Sequence, residues 1–239
     1  MITILKVILW GEEIGRLVWD ARRRLSYFNY NPLFIRKGLD IAPLAAPLKV
    51  YANMPVWGEE AKIYQRLPAF IADSLPDSWG NQLFDLWRQQ HHFSNADITP
   101  LDKLSFIGKR GMGALEFQPQ ASRERSPKKI DMASLTDLAE RIFSERENAR
   151  IMPDESITMQ SLLTVGTSAG GRQPKAIIAI NRKSGEIRSG QIAGLEDYDY
   201  YLLKFGNTEY SSAELEMTYY ELATKAGIDM MPSCLFSVN

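Results

Sequence analysis

Apolar residues crowd two stretches at the start of the chain, 2–10 and 14–19, each rich in Ile, Val, Leu and Trp. Trp10-Gly11-Glu12-Glu13 lies between them, so the pattern predicts a β-hairpin with Gly11 supplying the backbone freedom of the turn. Tyr27-Phe28-Asn29-Tyr30 reads as a further short aromatic strand. Residues 38–57 carry Pro43, Pro47 and Pro55, each of which removes a backbone donor, and are expected to be extended or irregular. The first strong helical spacing runs from Phe70 to Trp87, with Asp77 or Ser78 capping its second half and Trp79, Leu83, Leu86 and Trp87 on one face.

Residues 101–107 form a short apolar segment, followed by Gly108-Lys-Arg-Gly-Met-Gly113, read as a hairpin turn, and Ala114-Leu-Glu-Phe117. Between Gln118 and Lys129 the composition shifts to Pro, Ser, Arg and Lys, the signature of a linker. A boundary near residue 120 therefore divides the chain into a first part, 1–120, and a second, 121–239. Residues 132–147 read as a charged surface helix with Leu135, Leu138, Ala139 and Ile142 as its apolar stripe. The β-branched run 176–180, a turn at 181–185, a returning strand at 186–192 and a third strand at 199–205 follow. Ser211 and Glu214 have the spacing of a capping box. The helix they open is expected to run to Gly227, and 234–238 to form a last strand.

Composition excludes several classes. Lys and Arg number 28 against 29 for Asp and Glu, so no bulk basic charge advertises nucleic acid or acidic membranes. Cys234 is the single cysteine, and His91 and His92 are the only histidines, which removes an internal disulfide framework, a cysteine-based zinc site and a multi-histidine metal centre. Both histidines are expected at the surface or a helix end. The five tryptophans are most simply packing residues. The apolar start is too short to span a bilayer and is followed by no small-residue cleavage site, so the expectation is a cytoplasmic protein without membrane contact.

One cluster carries candidate chemistry. Gly166-Thr-Ser-Ala-Gly-Gly-Arg-Gln-Pro-Lys175 offers bare amides and hydroxyls at Thr167, Ser168, Gly170 and Gly171, the material of a phosphate cradle. Dinucleotide and Walker-type loops lead into a helix, whereas this one leads into a strand and lacks Gly-Lys-Ser/Thr. A glycine-rich loop before a strand, then a strand lysine, then a helix glutamate is instead the order of a protein-kinase small lobe. Lys204 is the candidate strand lysine for nucleotide phosphates, and Glu216 the acid that orients it. Lys175, at the end of the loop, competes with Lys204 for that role. The bland alternatives are a simple glycine turn and two solvated charges.

The same stretches resemble the HipA family, the serine/threonine-kinase toxins of bacterial toxin–antitoxin pairs. The resemblance rests on 166–176, on Lys-Ser-Gly-Glu-Ile-Arg-Ser-Gly-Gln at 183–191, on Tyr-Leu-Leu-Lys-Phe at 201–205 and on Glu-Met-Thr-Tyr-Tyr-Glu-Leu-Ala at 216–223. Ser-Leu-Pro-Asp-Ser-Trp-Gly at 74–80 and Gly-Met-Gly-Ala-Leu-Glu-Phe at 111–117 resemble that family's N-terminal subdomain. The implied fold is α+β: a β-hairpin and helix subdomain, then a kinase-like small lobe with an antiparallel sheet and one helix.

The resemblance further implies ATP and Mg2+ as cofactors, bound with the help of Ser168, Gly170, Gly171, Lys175, Lys204 and Glu216. It makes Ser168 the candidate for autophosphorylation. It implies a HipB-like helix-turn-helix antitoxin as partner, DNA reached only through it, and a protein substrate. Family members continue through a helical lobe bearing the catalytic and metal-binding aspartates. Residues 1–239 are therefore expected to be the front of a kinase, inactive alone, which oligomerises or joins a separate C-terminal lobe through apolar surface near 201–205 and 231–238. The rival expectation is a non-catalytic interaction module that binds an antitoxin or a separate kinase chain.

Overall fold

The computed structural model describes residues 2–91, 93, 98–121, 130–145, 156–166, 173–191, 196–206 and 211–237. The chain divides into two compact units, Met1–Arg125 and a second comprising Ser126–Gly166 and Arg172–Asn239.

In the first unit, β1 (Ile4–Leu9) and β2 (Glu12–Asp20) form the hairpin, with Gly11 at φ 82° in its turn. β3 (Leu25–Tyr30) pairs with β2, and after the short helices α1 (Pro32–Ile35) and α2 (Leu48–Tyr51), β4 (Val56–Trp57) pairs with β3. A 3-10 turn (Lys62–Tyr64) and three helices follow: α3 (Ala69–Ala72), α4 (Ser78–Gln90) and α5 (Pro100–Ile107). β5 (Leu115–Gln118) then returns to pair with β1, completing an antiparallel sheet of order β4-β3-β2-β1-β5.

Alternation decides which face is buried. Leu5, Val7 and Leu9 of β1, Ile14 and Leu17 of β2, Phe28 and Tyr30 of β3 and Phe117 of β5 join one core with Phe34, Ile71, Leu101 and Leu104 from the helices. Phe106, on another side of α5, meets the rings of Phe84 and Trp87 of α4, each at 5.3 Å between centroids. The helix starts are chemically specified. Asp77 accepts the Gly80 N–H at 2.7 Å to open α4, and Thr99 with Asp102 closes a capping box on α5.

Several expectations are corrected. Residues 101–107 form a helix, because Pro100 at its first position and the Thr99–Asp102 box start one there; Gly108–Gly113 thus joins a helix to a strand and is no hairpin turn. Within 38–57, one helical turn forms at Leu48–Tyr51, with Pro47 preceding it where its missing donor costs nothing. Trp10 is no packing residue: at the tip of the hairpin, with φ 51°, it is 77% exposed. His91 sits at the C-terminal cap of α4, its ring Nδ1 2.8 Å from the Trp87 carbonyl, whereas His92 lies outside the described residues.

In the second unit, α6 (Met132–Glu145) buries the expected stripe of Leu135, Leu138, Ala139 and Ile142. It packs on α7 (Ser156–Val165), a helix the sequence pattern did not suggest, which buries Met159, Leu162 and Leu163. A second antiparallel sheet follows, β6 (Lys175–Asn181), β7 (Ile187–Ser189) and β8 (Tyr198–Lys204), in the order β7-β6-β8. Helix α8 (Ser212–Lys225) ends before Gly227, whose φ of 84° suits it to that stop. The predicted capping box at its start is absent. Ser211 takes a left-handed φ of 44°, which leaves its hydroxyl without a capping bond. The predicted strand at 234–238 is also absent over its described residues, 234–237, which pair with no described strand and so lack the ladder bonds a strand needs.

Two outcomes follow. A Cβ on Gly15 would stand 2.3 Å from both the Asn29 carbonyl and the Phe28 ring, so Gly15→Ala is expected to destabilise the fold by about 1–3 kcal/mol in urea denaturation. Burial, with the nearby Asp40 charge, pushes Tyr30 from its ordinary value of 10 up to about 12, and its hydroxyl donates to the Ala46 carbonyl at 2.9 Å. The neutral phenol belongs to the folded state, so this contribution is intact below about pH 10 and lost as pH rises toward 12. Tyr30→Phe is expected to flatten the fall in stability across that window, read by denaturation at stepped pH.

Candidate functional site

β6 and β8 pair in antiparallel register from Lys175↔Lys204 through Ile178↔Tyr201 to Asn181↔Tyr198. Two features pin the ladder at its ends. Beyond Lys204, the Phe205 N–H donates to the Pro174 carbonyl at 3.0 Å. At the other end, Arg182 lies 2.8 Å from Asp199, and the guanidinium holds that carboxyl below the usual aspartate range.

This register determines what meets at one end of the sheet. The start of β6, where the glycine-rich segment joins, lies beside the finish of β8, where Lys204 stands. Ser168, Gly170 and Gly171, with Thr167, lie outside the described residues. Among the other candidates, Lys204 and Glu216 are brought together: the ammonium is 2.5 Å from Glu216 Oε2, across from the second turn of α8. Both side chains remain about half exposed, at 49% and 45%. Lys175 stands directly opposite Lys204 in register but is 5% exposed and engaged with neighbouring groups.

An ion pair this open to water contributes little stability, about 0–1 kcal/mol. Its consequence is positional. A lysine ammonium carries three donors on a flexible stem, and one carboxylate contact restrains the stem while leaving donors for another anion. The residues present thus fit a phosphate-bearing ligand. Among the described residues, no group of three or more His, Cys, Asp and Glu side chains is placed to hold a metal ion.

Sequence reasoning missed a cavity of about 390 Å³ at this sheet end, lined by Asp137, Glu140 and Arg141 of α6 together with Gln173, Pro174 and Phe205. Its two carboxylates make it a poor seat for phosphate. The signal for it was the polar face of α6, which periodicity alone assigns to solvent. The expected exposed apolar surface is present in part. Tyr201, Leu202, Met231, Leu235 and Phe236 are exposed, but Phe205 is buried.

Among the described residues no helix is long and apolar enough to cross a membrane. No curated protein matches the chain. The family model described as the HipA N-terminal domain matches residues 5–118, nearly the whole of the first compact unit. The stretch that runs from β1 to the close of β5 thus matches a HipA N-terminal domain.

Proposed function

We propose that residues 1–239 are the N-terminal portion of a HipA-like serine/threonine protein kinase toxin, with the second unit as its nucleotide-gripping region. The observation that carries this reading is the Lys204–Glu216 pair at the sheet end where the glycine-rich segment joins β6. ATP, when bound, supplies the phosphoryl group. Lys204 holds phosphate oxygens with the donors Glu216 leaves it, and Glu216 keeps the ammonium from swinging into solvent. Ser168, Gly170 and Gly171 complete the cradle, and Lys175 adds positive charge at its base.

Ser168 is the proposed autophosphorylation site. A phosphoserine there brings roughly −2 charge to the place ATP needs for its own phosphates, so the modified loop and the nucleotide exclude each other. The carboxylate that positions the acceptor hydroxyl and those that hold magnesium belong, in this reading, to a further lobe, so residues 1–239 alone transfer no phosphoryl group. The partner is a helix-turn-helix antitoxin, through which this near-neutral chain reaches DNA, and the compartment is the cytoplasm.

One observation favours a second reading, a non-catalytic module that docks an antitoxin or a separate kinase chain. Helix α8 buries none of its residues, and Leu215, Tyr219 and Leu222 on it are exposed, as are Ile228 and Met231 after it.

Lys204→Met separates the two. In the kinase reading it weakens ATP binding by the full chain about tenfold or more in titration calorimetry. The melting temperature hardly moves, because the pair is half exposed. ATP with magnesium is also expected to protect Lys204 from acylation. A wild-type chain that binds no nucleotide but captures the antitoxin tightly establishes the module instead.

A further inference from the structure

The first unit contains a cavity of about 630 Å³ that the kinase reading does not use. It lies where the turn between β2 and β3 faces the Gln65–Arg66 segment and the start of α5. We propose that this cavity binds a small phosphate-bearing anion, held by Arg23, Arg24, Arg66 and Lys103 against the wall formed by Trp19.

Charge is the first argument. Four cationic side chains line one concave surface, and no lining residue among those described is acidic. Like charges gathered on a concavity raise its potential and draw in counter-ions. Two carboxylates stand nearby without lining it. Asp20 lies 3.8 Å from Arg23, but one of its oxygens also accepts the backbone N–H groups of Arg22 and Arg23. Asp102 is spent on the Ile2 N–H and on Thr99. Arg24 and Arg66 have no side-chain hydrogen bond or ion pair among the described residues.

Lys103 supplies the second argument. Its ammonium donates to two neutral oxygens, Asn81 Oδ1 at 2.8 Å and Gln65 Oε1 at 3.4 Å. Burial pushes it below the ordinary lysine value, while the more distant Asp85 charge acts the other way. A partly buried cation with neutral partners is stabilised by an anion brought alongside.

Backbone conformation is the third. Five non-glycine described residues have positive φ, and three of them line this cavity: Arg24 at 51°, Gln65 at 47° and Arg66 at 70°. Such conformations are strained and persist where the surroundings enforce them. Here they do. Ser26 donates to the Arg66 carbonyl from both its N–H, at 3.0 Å, and its hydroxyl, at 2.7 Å. Gly58 lets that carbonyl approach, since a Cβ there would stand 2.1 Å from it. Those contacts hold the Arg66 stem at the rim of the cavity.

The chemistry narrows the ligand. Guanidinium groups take phosphate oxygens in a bidentate fork. The volume lies within the range of small-molecule sites, about 300–1,000 Å³. Arg23 is already held over the Trp57 ring, 4.7 Å from its centroid, so it is presented with little freedom left to lose.

Calorimetric titration of the full chain with inorganic pyrophosphate and with ADP, at about 0.15 M ionic strength, tests this. Arg24→Gln combined with Arg66→Gln is expected to weaken pyrophosphate binding about tenfold or more, whereas Lys204→Met leaves it unchanged. ADP binding tighter than pyrophosphate in that same arginine-dependent mode assigns the ligand to nucleotides; equal binding assigns it to inorganic oligophosphates. Pyrophosphate is also expected to protect the wild-type arginines from phenylglyoxal, a readout that needs no variant. The proposal is overturned if wild type does not bind, if the arginine variant binds as wild type does, if only Lys204→Met loses binding, or if the cavity takes a single-stranded oligonucleotide that pyrophosphate cannot displace. Because the two sites are read by different variants, failure here leaves the kinase reading standing.

Discussion

A slip of one residue in the ladder between β6 and β8 would turn Lys204 to the opposite face of its sheet, because side chains alternate along a strand. The amine would then leave Glu216, and the glycine-rich segment would join the sheet beside a leucine. The Arg182–Asp199 pair and the Phe205–Pro174 backbone bond hold the ladder against that slip, one at each end. Neither carries much energy singly, and together they fix a register. Everything proposed for the second unit depends on it.

The two units show different ways of using apolar residues. In the first, β1, β2 and β3 each place two or more large side chains in one core, β5 adds Phe117, and the helices α1, α3 and α5 cap it. The outcome is a rigid frame on which the turn 21–24 and Gln65–Arg66 can hold strained backbone. In the second, α6, α7 and the inner face of β6 make a core of their own, while β8 and α8 keep tyrosines and leucines in solvent. Apolar surface of that kind is what a docking partner covers in the second reading.

How much was legible in the sequence varied with the source of each signal. The hairpin at 4–20, the buried stripe of α6 and the order strand, strand lysine, helix glutamate were legible, because each rests on local periodicity or spacing. Asp77 was legible as a cap for the same reason. Residues 101–107 were not legible as a helix because seven residues give too few turns for the apolar period to show, and Thr99, which opens the capping box, lies before the apolar run. Ser211 has the right residue type for a cap, yet the chain arrives there in a left-handed conformation, which no residue count reveals. Trp10 was read as packing from its chemistry alone, although a hairpin tip has nothing to pack against.

By itself the sequence determined which residue types were available and in what order: an apolar hairpin, a glycine-rich segment, a strand lysine and a helix glutamate. Those follow from local chemistry and need no partner at a distance. Tertiary structure alone decided that Lys204 reaches Glu216, that Lys175 is buried across from it, and that Arg23, Arg24, Arg66 and Lys103 share one cavity though they are spread over 81 positions. Such meetings depend on strand register and on how a sheet seats its helices, and both are settled by long-range packing that no local window contains.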